Sequence, residues 1–218
     1  MSTGSSNAFQ ATDDPGYYAN ARSELVALLP RPLGRVLDVG CGAGEVGRSL
    51  RAAGADAVVG VEINAEAATA AQAHFDEVRV GDVETLIGDG ELCGPFDTIV
   101  LYDVLEHLVD PAALVAALAP LAAEGAHIHV SVPNARHFSL LRDLVLRGTF
   151  GYTDWGHRDR THLRWFTRRD IETVIRAQGW RIEQVEPAIL GRNRIVDRLT
   201  LGRAREFIAL QWAVLATR

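Results

Sequence analysis

Lysine is absent from the sequence, so all 22 residues counted as Lys or Arg are arginine. This absence excludes a lysine nucleophile, a lysine Schiff base and a lysine anchor for phosphate. Cysteine is scarce, and the two present, Cys41 and Cys93, have neither the paired spacing of a zinc site nor that of a redox motif. We therefore expect a protein of a reducing, cytoplasmic compartment.

Long apolar runs and an excess of positive charge are also lacking. The most apolar stretch, 111–123, is too short to span a membrane, and residues 1–10 show no pattern of a secretion signal. The formal net charge of -6 argues against nucleic acid and against an anionic membrane as a partner. With 218 residues, 48% of them hydrophobic, the chain is expected to form a soluble single domain over 1–218, as a monomer or a homodimer.

Short apolar strands alternate with helical patterns through the first part of the chain. The expected strands lie at 35–39, 57–63, 77–80, 96–101 and 127–132, and the expected helices at 17–29 (within an N-terminal helical cap, 1–30), 45–53, 65–75 and 112–121. Such alternation indicates a doubly wound α/β fold, in which helices cover both faces of a parallel sheet. Ligands of these folds bind at the carboxyl ends of the strands.

The regular alternation stops after residue 133, and residues 134–166 are expected to form a lid or insertion. The further elements expected are a short helix at 138–147, a glycine- and aromatic-rich loop at 148–165, a helix at 167–178, and strands at 180–185 and 205–213 on either side of a loop at 186–204. The last two strands are expected to pair antiparallel. The predicted sheet therefore has about seven strands, with the last antiparallel.

A hydrophobic strand runs directly into three glycines within residues 36–44, and a helix follows. Glycines permit a tight turn and a close approach to a ligand, and the start of the helix offers N–H groups to it. Glu62 ends the second strand and falls 22 residues after Gly40 (62 minus 40), where doubly wound folds present a carboxylate to a ribose diol. These features predict an adenosine-containing cofactor. A tight turn without a ligand is the alternative.

The glycine pattern departs from the dinucleotide fingerprint. Where that fingerprint has its third glycine, this chain has Glu45, whose charge would repel a pyrophosphate at the start of the helix. Asp38, two residues before Gly40, favours a cationic ligand such as a sulfonium that also carries an ammonium group. Asp82 follows the third strand, where its carboxylate could accept a hydrogen bond from an adenine amino group. A nucleotide-dependent oxidoreductase is therefore disfavoured.

Several short stretches of the chain carry a resemblance to a known family. Leu-Asp-Val-Gly-Cys-Gly-Ala-Gly occupies residues 37–44, and further stretches lie at 60–63, 96–108 and 131–134. In these stretches the chain resembles the class I S-adenosylmethionine-dependent methyltransferases, and residues 156–167 resemble a bacterial branch that modifies glycans or natural products. The resemblance implies a Rossmann-like methyltransferase fold, S-adenosylmethionine as cofactor, and a small-molecule acceptor. The expected methylated atom is an oxygen of a hydroxyl, carboxylate, phosphate or phosphonate of a natural product or sugar.

The same resemblance implies which residues contact the cofactor. Asp38 and the glycine loop would surround its methionine part, Glu62 its ribose, and Asp82 the amine of its adenine. Ahead of the first strand, Arg22 could reach the donor carboxylate, although a helix packed on the sheet edge is the alternative there. The cofactor-binding residues expected are Tyr18, Arg22, Asp38, Gly40, Cys41, Gly42, Glu62, Ile63, Asp82, Val83, Tyr102 and Asp103.

Donor and acceptor must meet near the ends of the fourth and fifth strands, where a base could remove the acceptor's proton. His107 follows the fourth strand directly and is the first candidate, and His162 in the lid is the second. A histidine that only braces its loop is the alternative for His107. Glu106 could orient that imidazole or cap the next turn.

Residues 134–166 contain six arginines and three aspartates, a local charge of +3 (six minus three) in a chain of -6. This reversal predicts an anionic acceptor held by arginines, whereas internal ion pairs are the alternative. The spacing of His157, Asp159 and His162 could also suit a metal, but no metal site is predicted. The alternative to an enzyme is a catalytically silent protein that binds the donor and regulates a partner. The substrate-binding residues expected are Trp155, His157, Arg158, Arg160 and Arg164.

Overall fold

Seven strands form one mixed sheet in the parts of the chain that the structure, a computed structural model, describes: residues 22–154, 156–191 and 193–218. They are β1 (Arg35–Val39), β2 (Ala57–Glu62), β3 (Glu77–Val80), β4 (Phe96–Tyr102), β5 (Ala122–Pro133), β6 (Arg181–Ala188) and β7 (Gln211–Thr217). Their order across the sheet is β3-β2-β1-β4-β5-β7-β6. β1 to β5 are parallel, and β7 pairs antiparallel with both β5 and β6. The doubly wound α/β fold with an antiparallel last strand is confirmed.

The helices of the described residues connect these strands. They are α1 (Ser23–Val26), α2 (Glu45–Ala52), α3 (Ala65–Ala71), α4 (Val83–Gly88), α5 (Pro111–Leu118), α6 (Phe138–Arg147), α7 (Arg168–Ala177), α8 (Asn193–Leu199) and α9 (Arg205–Ile208). Side chains of Asn64, Asp82, Asp110 and Thr167 accept backbone N–H groups at the starts of α3, α4, α5 and α7. Such caps satisfy donors that have no partner within the helix, which fixes where each helix begins. In the described part of the chain, no helix has both the length and the apolarity needed to cross a membrane.

Two apolar clusters cover the two faces of the sheet. On β1, Val36 belongs to one cluster and Leu37 to the other, and β4 divides in the same way between Val100 and Ile99. Successive residues of a strand point to opposite faces, so both faces are buried. This explains why these strands appear in the sequence as continuous apolar runs.

The structure corrects the prediction in the C-terminal region. Residues 205–208 form α9 and β7 begins at Gln211, so the strand predicted at 205–213 was wrong in its first half. The strand lies between two others with residues 212–216 all buried, so it lacks the alternation that would mark its bounds. The predicted loop at 186–204 contains α8, a helix of seven residues that buries none of them and leaves Ile195, Val196 and Leu199 exposed. α4 was also not predicted, and the helix expected at 17–29 begins outside the described residues.

A buried histidine inside the sheet makes the stability of the fold dependent on pH. His129 on β5 is 1% exposed, and its Nδ1 lies within hydrogen-bond distance of the Tyr102 hydroxyl, at 2.9 Å. Burial lowers the pKa of His129 from 6.5 to about 4. Between these values the unfolded chain binds a proton that the folded chain does not, so the free energy of unfolding falls as the pH drops from 6.5 towards 4.

We expect the substitution His129→Asn to reduce this acid sensitivity by up to about 3 kcal/mol, because the amide oxygen can accept from Tyr102 but does not titrate. Denaturant unfolding of both proteins at neutral pH and near the folded pKa of about 4 measures the difference. An equal loss of stability in the two proteins would show that His129 does not contribute to the acid sensitivity.

Candidate active site

A cleft of about 1230 Å³ opens at the carboxyl ends of the parallel strands. The strand order reverses between β1 and β4, since β2 and β3 lie on one side of them and β5 on the other. Ligands of doubly wound folds bind at such a switch point. Eleven of the twelve residues predicted to hold the donor line the cleft: Arg22, Asp38, Gly40, Cys41, Gly42, Glu62, Ile63, Asp82, Val83, Tyr102 and Asp103. The twelfth, Tyr18, lies outside the described residues.

The glycine loop turns the chain from β1 into α2 under the floor of the cleft. Gly40 and Gly44 have φ of 74° and 98°, in the left-handed region that favours glycine. A Cβ on Gly40 would lie 2.8 Å from Cγ2 of Val104, and one on Gly44 would lie 2.9 Å from the Cα of Ala71. The loop therefore requires glycine both for its backbone conformation and for its close packing.

Glu62 joins the end of β2 to the glycine loop. Its Oε2 accepts from the backbone N–H of Gly42 at 2.9 Å, and its Oε1 accepts from that of Asn64 at 2.8 Å. Burial raises the pKa of the Glu62 carboxyl, and the two amides act in the opposite direction. Each carboxylate oxygen can accept more than one hydrogen bond, so this group can hold the loop and also receive a ligand diol.

Asp38, near the end of β1, is a buried acid whose Oδ2 has no hydrogen-bond partner among the described residues. Burial raises the pKa of its carboxyl well above the usual range, and the charge of Glu62 adds to the effect. A buried carboxylate is costly unless a donor or cation meets it. A cationic group of a ligand in the cleft would satisfy this oxygen.

The residues predicted around the adenine lie further along the same edge. Ile63 is 40% exposed and borders the cleft with Val83 at the start of α4. Asp82 caps α4, since its Oδ1 accepts from the Thr85 backbone N–H at 2.9 Å and from the Thr85 hydroxyl at 3.1 Å. Asp82 thus has a structural role in addition to the predicted contact with an adenine amine.

A hydrogen-bonded network links the N-terminal part of the described chain to β4 and β7. Arg22 forms an ion pair with Asp103 and donates to Oε1 of Gln211 at 3.0 Å. Gln211 in turn donates to Oδ1 of Asp103 at 2.8 Å, and Ser131 donates to the same oxygen at 3.3 Å. Asp103 has φ of 57°, an uncommon conformation for a residue other than glycine, and such residues cluster at functional sites. Gln211 was missed by the sequence analysis.

Glu106, His107 and His162 form a cluster on the cleft beyond the end of β4. The two imidazole rings lie 4.8 Å apart between centroids, and His162 Nε2 lies 4.0 Å from Oε1 of Glu106. Burial raises the pKa of Glu106 to about 8, and it lowers the pKa of both histidines, that of His162 to about 4. The structure therefore brings together the two histidines predicted to be catalytic, with a buried acid beside them.

The structure does not bring the three predicted substrate-binding arginines to the cleft. Arg158 donates to Oδ2 of Asp143 at 2.8 Å, Arg160 pairs with Asp154 at 2.6 Å, and Arg164 donates to the backbone oxygen of Val109. The contacts of Arg158 and Arg160 are the internal ion pairs that were the alternative explanation of the charge, whereas that of Arg164 is a hydrogen bond to the backbone. Of the other two predicted residues, His157 lines the cleft and Trp155 lies outside the described residues.

We expect Arg158→Ala to lower the melting temperature by several degrees, and Arg160→Ala to leave it almost unchanged. The Arg158 side chain is 15% exposed and pairs with a nearly buried carboxylate, whereas both partners of the Arg160 pair are largely exposed. Thermal unfolding of the two variants tests this. An equal shift would mean that the buried pair does not brace α6 against the following loop.

One wall of the cleft comes from residues that were assigned to a loop. β6 runs parallel to β5, because both are antiparallel to β7, so the chain leaving β6 reaches the same edge as β1 to β5. Its lining combines apolar and charged side chains: Glu186, Pro187, Ala188, Ile189, Leu190, Arg194 and Asp197. The sequence could have revealed this wall, because it predicted an antiparallel last strand. A strand that is antiparallel to both of its neighbours requires those neighbours, β5 and β6, to run in the same direction.

Comparison with known proteins gives a consistent family. The family described as a methyltransferase domain matches residues 11–185. The ubiquinone biosynthesis O-methyltransferase of Ralstonia nicotianae is 34% identical over 131 residues, covering 54% of this chain and 55% of that protein. The protein of the same name from Xanthomonas axonopodis pv. citri is 36% identical over 150 residues, 62% of each chain. The chain spans about half the length of the curated relatives it matches.

Two solved structures share the fold. A SAM-dependent methyltransferase from Archaeoglobus fulgidus superposes with a TM-score of 0.67 at 18% identity, covering 93% of this chain and 96% of that one. The magnesium protoporphyrin IX methyltransferase from Synechocystis PCC 6803, with bound SAM, gives 0.55 at 20% identity, covering 90% and 75%. At these identities the likeness shows the fold.

Proposed function

The chain belongs to the class I S-adenosylmethionine-dependent methyltransferase family, and we propose that it transfers a methyl group from S-adenosylmethionine to an oxygen of a small molecule. The observation that carries this proposal is that Asp38 and Glu62 line the same cleft as His107 and His162. Methyl transfer requires the nucleophile, the methyl carbon and the sulfur in line, and positioning alone can lower the barrier by about 7 to 11 kcal/mol. One cleft with donor and acceptor groups provides the setting for that alignment.

On the donor side, each acid has a distinct task. Asp38 would receive the ammonium group of the methionine part, since its Oδ2 is buried and has no partner in the described residues. Glu62 would accept from the ribose hydroxyls while its bonds to Gly42 and Asn64 hold it in place. A charge-assisted hydrogen bond of this kind is about twice as strong as a neutral one.

On the acceptor side, we infer a hydroxyl on a molecule with a flat apolar part, which one section of the cleft wall can contact. The end of β6 and the chain after it present Pro187, Ile189 and Leu190 to the cleft, and these side chains suit a ring or an alkyl chain. The relatives named for ubiquinone biosynthesis point to an acceptor of that pathway rather than to a sugar or another natural product. A hydroxyl bound here would lose its proton at the cluster of Glu106, His107 and His162.

Two measurements test the proposal. Calorimetry should show binding of S-adenosylmethionine and S-adenosylhomocysteine, and no binding of NAD under the same conditions. Turnover with a panel of catechols, phenols and aliphatic alcohols, followed by release of S-adenosylhomocysteine, identifies the acceptor class. Failure to bind the donor would contradict the proposal, and binding without turnover on any acceptor would favour a regulatory donor-binding protein.

A further inference from the structure

Arg194 lines the cleft just after β6, and hydrogen bonds fix its position there. Its Nε donates to the backbone oxygen of Ile189 at 3.0 Å. The backbone N–H groups of Asn193 and Arg194 donate to the backbone oxygens of Leu190 and Gly191, both at 3.2 Å, which closes the turn between β6 and α8. Ile189 is buried in the core of the fold, so this turn attaches the arginine to packed structure.

The terminal nitrogens of the Arg194 guanidinium have no partner within residues 22–154, 156–191 and 193–218. Of this side chain, only Nε takes part in a hydrogen bond there. A guanidinium carries further N–H donors on its two terminal nitrogens, in a planar fork. These donors therefore remain available to a ligand in the cleft.

The acidic side chains of the same part of the cleft are associated with another arginine. Oδ1 and Oδ2 of Asp197 accept from Nε and Nη2 of Arg205 at 3.1 and 3.0 Å. Hydrogen bonds to Asp197 raise the pKa of Arg205, and the charge of Glu186 adds to the effect. Oε1 of Glu186 also accepts from the Gln184 amide at 3.0 Å. Arg194 is thus a cation of this wall that forms no ion pair with a described residue.

The sheet order separates Arg194 from the residues proposed to bind the donor. β5 and β7 lie between β4 and β6, and β4 also lies between β1 and that group. Neighbouring strands are about 4.8 Å apart, so roughly 14 Å separates β4 from β6 and roughly 19 Å separates β1 from β6. His107 follows β4 and Asp38 lies on β1, whereas Arg194 follows β6. This separation favours a group of the acceptor, rather than the carboxylate of the donor, as the partner of Arg194.

We propose that Arg194 binds an oxyanion of the acceptor, a carboxylate or a phosphate, at the end of the molecule opposite the reacting hydroxyl. This inference rests on the proposed function. The planar guanidinium matches two oxygens of such a group, while Pro187 and Leu190 contact the apolar part between the two ends. The sequence predicted an anionic acceptor from the arginines of residues 134–166, whereas the structure offers an arginine from outside that segment.

Matched probes that differ in charge test the proposal. Calorimetry on the chain saturated with S-adenosylhomocysteine compares trans-3,4-dihydroxycinnamate with its amide, and 3-(3,4-dihydroxyphenyl)propyl phosphate with the corresponding alcohol. We expect the charged member of at least one pair to bind about 10- to 100-fold more tightly, because hydrogen bonds to charged groups are the stronger ones. The pair that shows this preference distinguishes a carboxylate from a phosphate. Rising salt should weaken binding of the charged probe more than that of its neutral partner.

Variants of Arg194 assign the preference to this side chain. Arg194→Ala should reduce the affinity for the charged probe to that for its neutral partner, and Arg194→Lys should recover only part of it, because lysine keeps the charge but not the planar fork. The matched control is Arg198→Ala, which removes an exposed arginine of the same helix that does not line the cleft. The control should keep the full preference. Thermal unfolding of each variant verifies that it is folded.

Three results would overturn the proposal. The first is that no charged probe binds more tightly than its neutral partner, an absence of binding included, which leaves methyl transfer to an uncharged acceptor intact. The second is an unchanged preference in folded Arg194→Ala protein. The third is that Arg194→Ala weakens S-adenosylmethionine as much as the charged probe, since Arg194 would then contact the donor. Failure of the unmodified chain to bind S-adenosylhomocysteine would contradict the proposed function instead.

Discussion

Replacing His107 by alanine is expected to lower the turnover number by about 100- to 10,000-fold, while the affinity for S-adenosylmethionine stays within a few fold. The imidazole lies on the acceptor side of the cleft, beside Glu106 and His162. A hydroxyl has a pKa far above neutrality, so methyl transfer to it depends on groups that assist loss of its proton. The contacts proposed between the donor and Asp38 or Glu62 do not involve His107.

Two measurements distinguish an effect of His107→Ala on the chemical step from an effect on donor binding. Turnover is followed at saturating donor and acceptor, and donor affinity is determined by calorimetry on the same preparations. His127→Ala controls for the loss of an imidazole, and thermal unfolding of His107→Ala checks that the Leu105–His107 turn keeps its structure. Full turnover by a folded His107→Ala protein would assign His107 the bracing role that was the alternative at the sequence level.

The grouping of the residues proposed to bind the donor could be predicted because its signals are local. A strand that runs into glycines places Asp38, Gly40 and Gly42 together without reference to any distant residue. Glu62 lies next to them because β2 pairs with β1 in parallel, and parallel pairing follows from the alternation of strands and helices. Placing these residues together requires only one strand-to-helix turn and one pairing between neighbouring strands. The structure accordingly brings these residues to one cleft.

The rest of the site could be predicted only in part, because its contacts join distant segments. Gln211 donates to Asp103 across 108 positions of the sequence, and Arg158 reaches Asp143 rather than the cleft. The charge excess of residues 134–166 could not show which arginines were already paired. α8 has only seven residues and buries none of them, so no core-facing pattern distinguished it from a loop. The cluster of Glu106 with His162 likewise depends on a loop that folds back onto the end of β4.

Glu62→Ala is expected to weaken binding of S-adenosylmethionine by about 1.5 to 3 kcal/mol, or about 10- to 150-fold, because a charge-assisted pair of hydrogen bonds to the ribose is lost. The same change frees the N–H groups of Gly42 and Asn64, so part of the loss could come from a loosened loop. Glu62→Gln keeps an acceptor for one of the two N–H groups but turns its NH2 towards the other, so thermal unfolding of both variants measures how much the loop is loosened. Glu66→Ala, an exposed acid on α3, is the matched control.

Comparing ligands distinguishes a contact to the ribose from a general weakening of the site. Adenosine has the diol but no methionine part, so Glu62→Ala should weaken adenosine and S-adenosylmethionine by a similar factor. Asp38→Asn should weaken only ligands that carry the ammonium group, because the oxygen of Asp38 without a partner is the one expected to meet it. Calorimetry with both ligands on both variants gives four affinities. If Asp38→Asn weakened adenosine as much as Glu62→Ala does, the two acids would not divide the donor between them, and their assigned positions along it would be wrong.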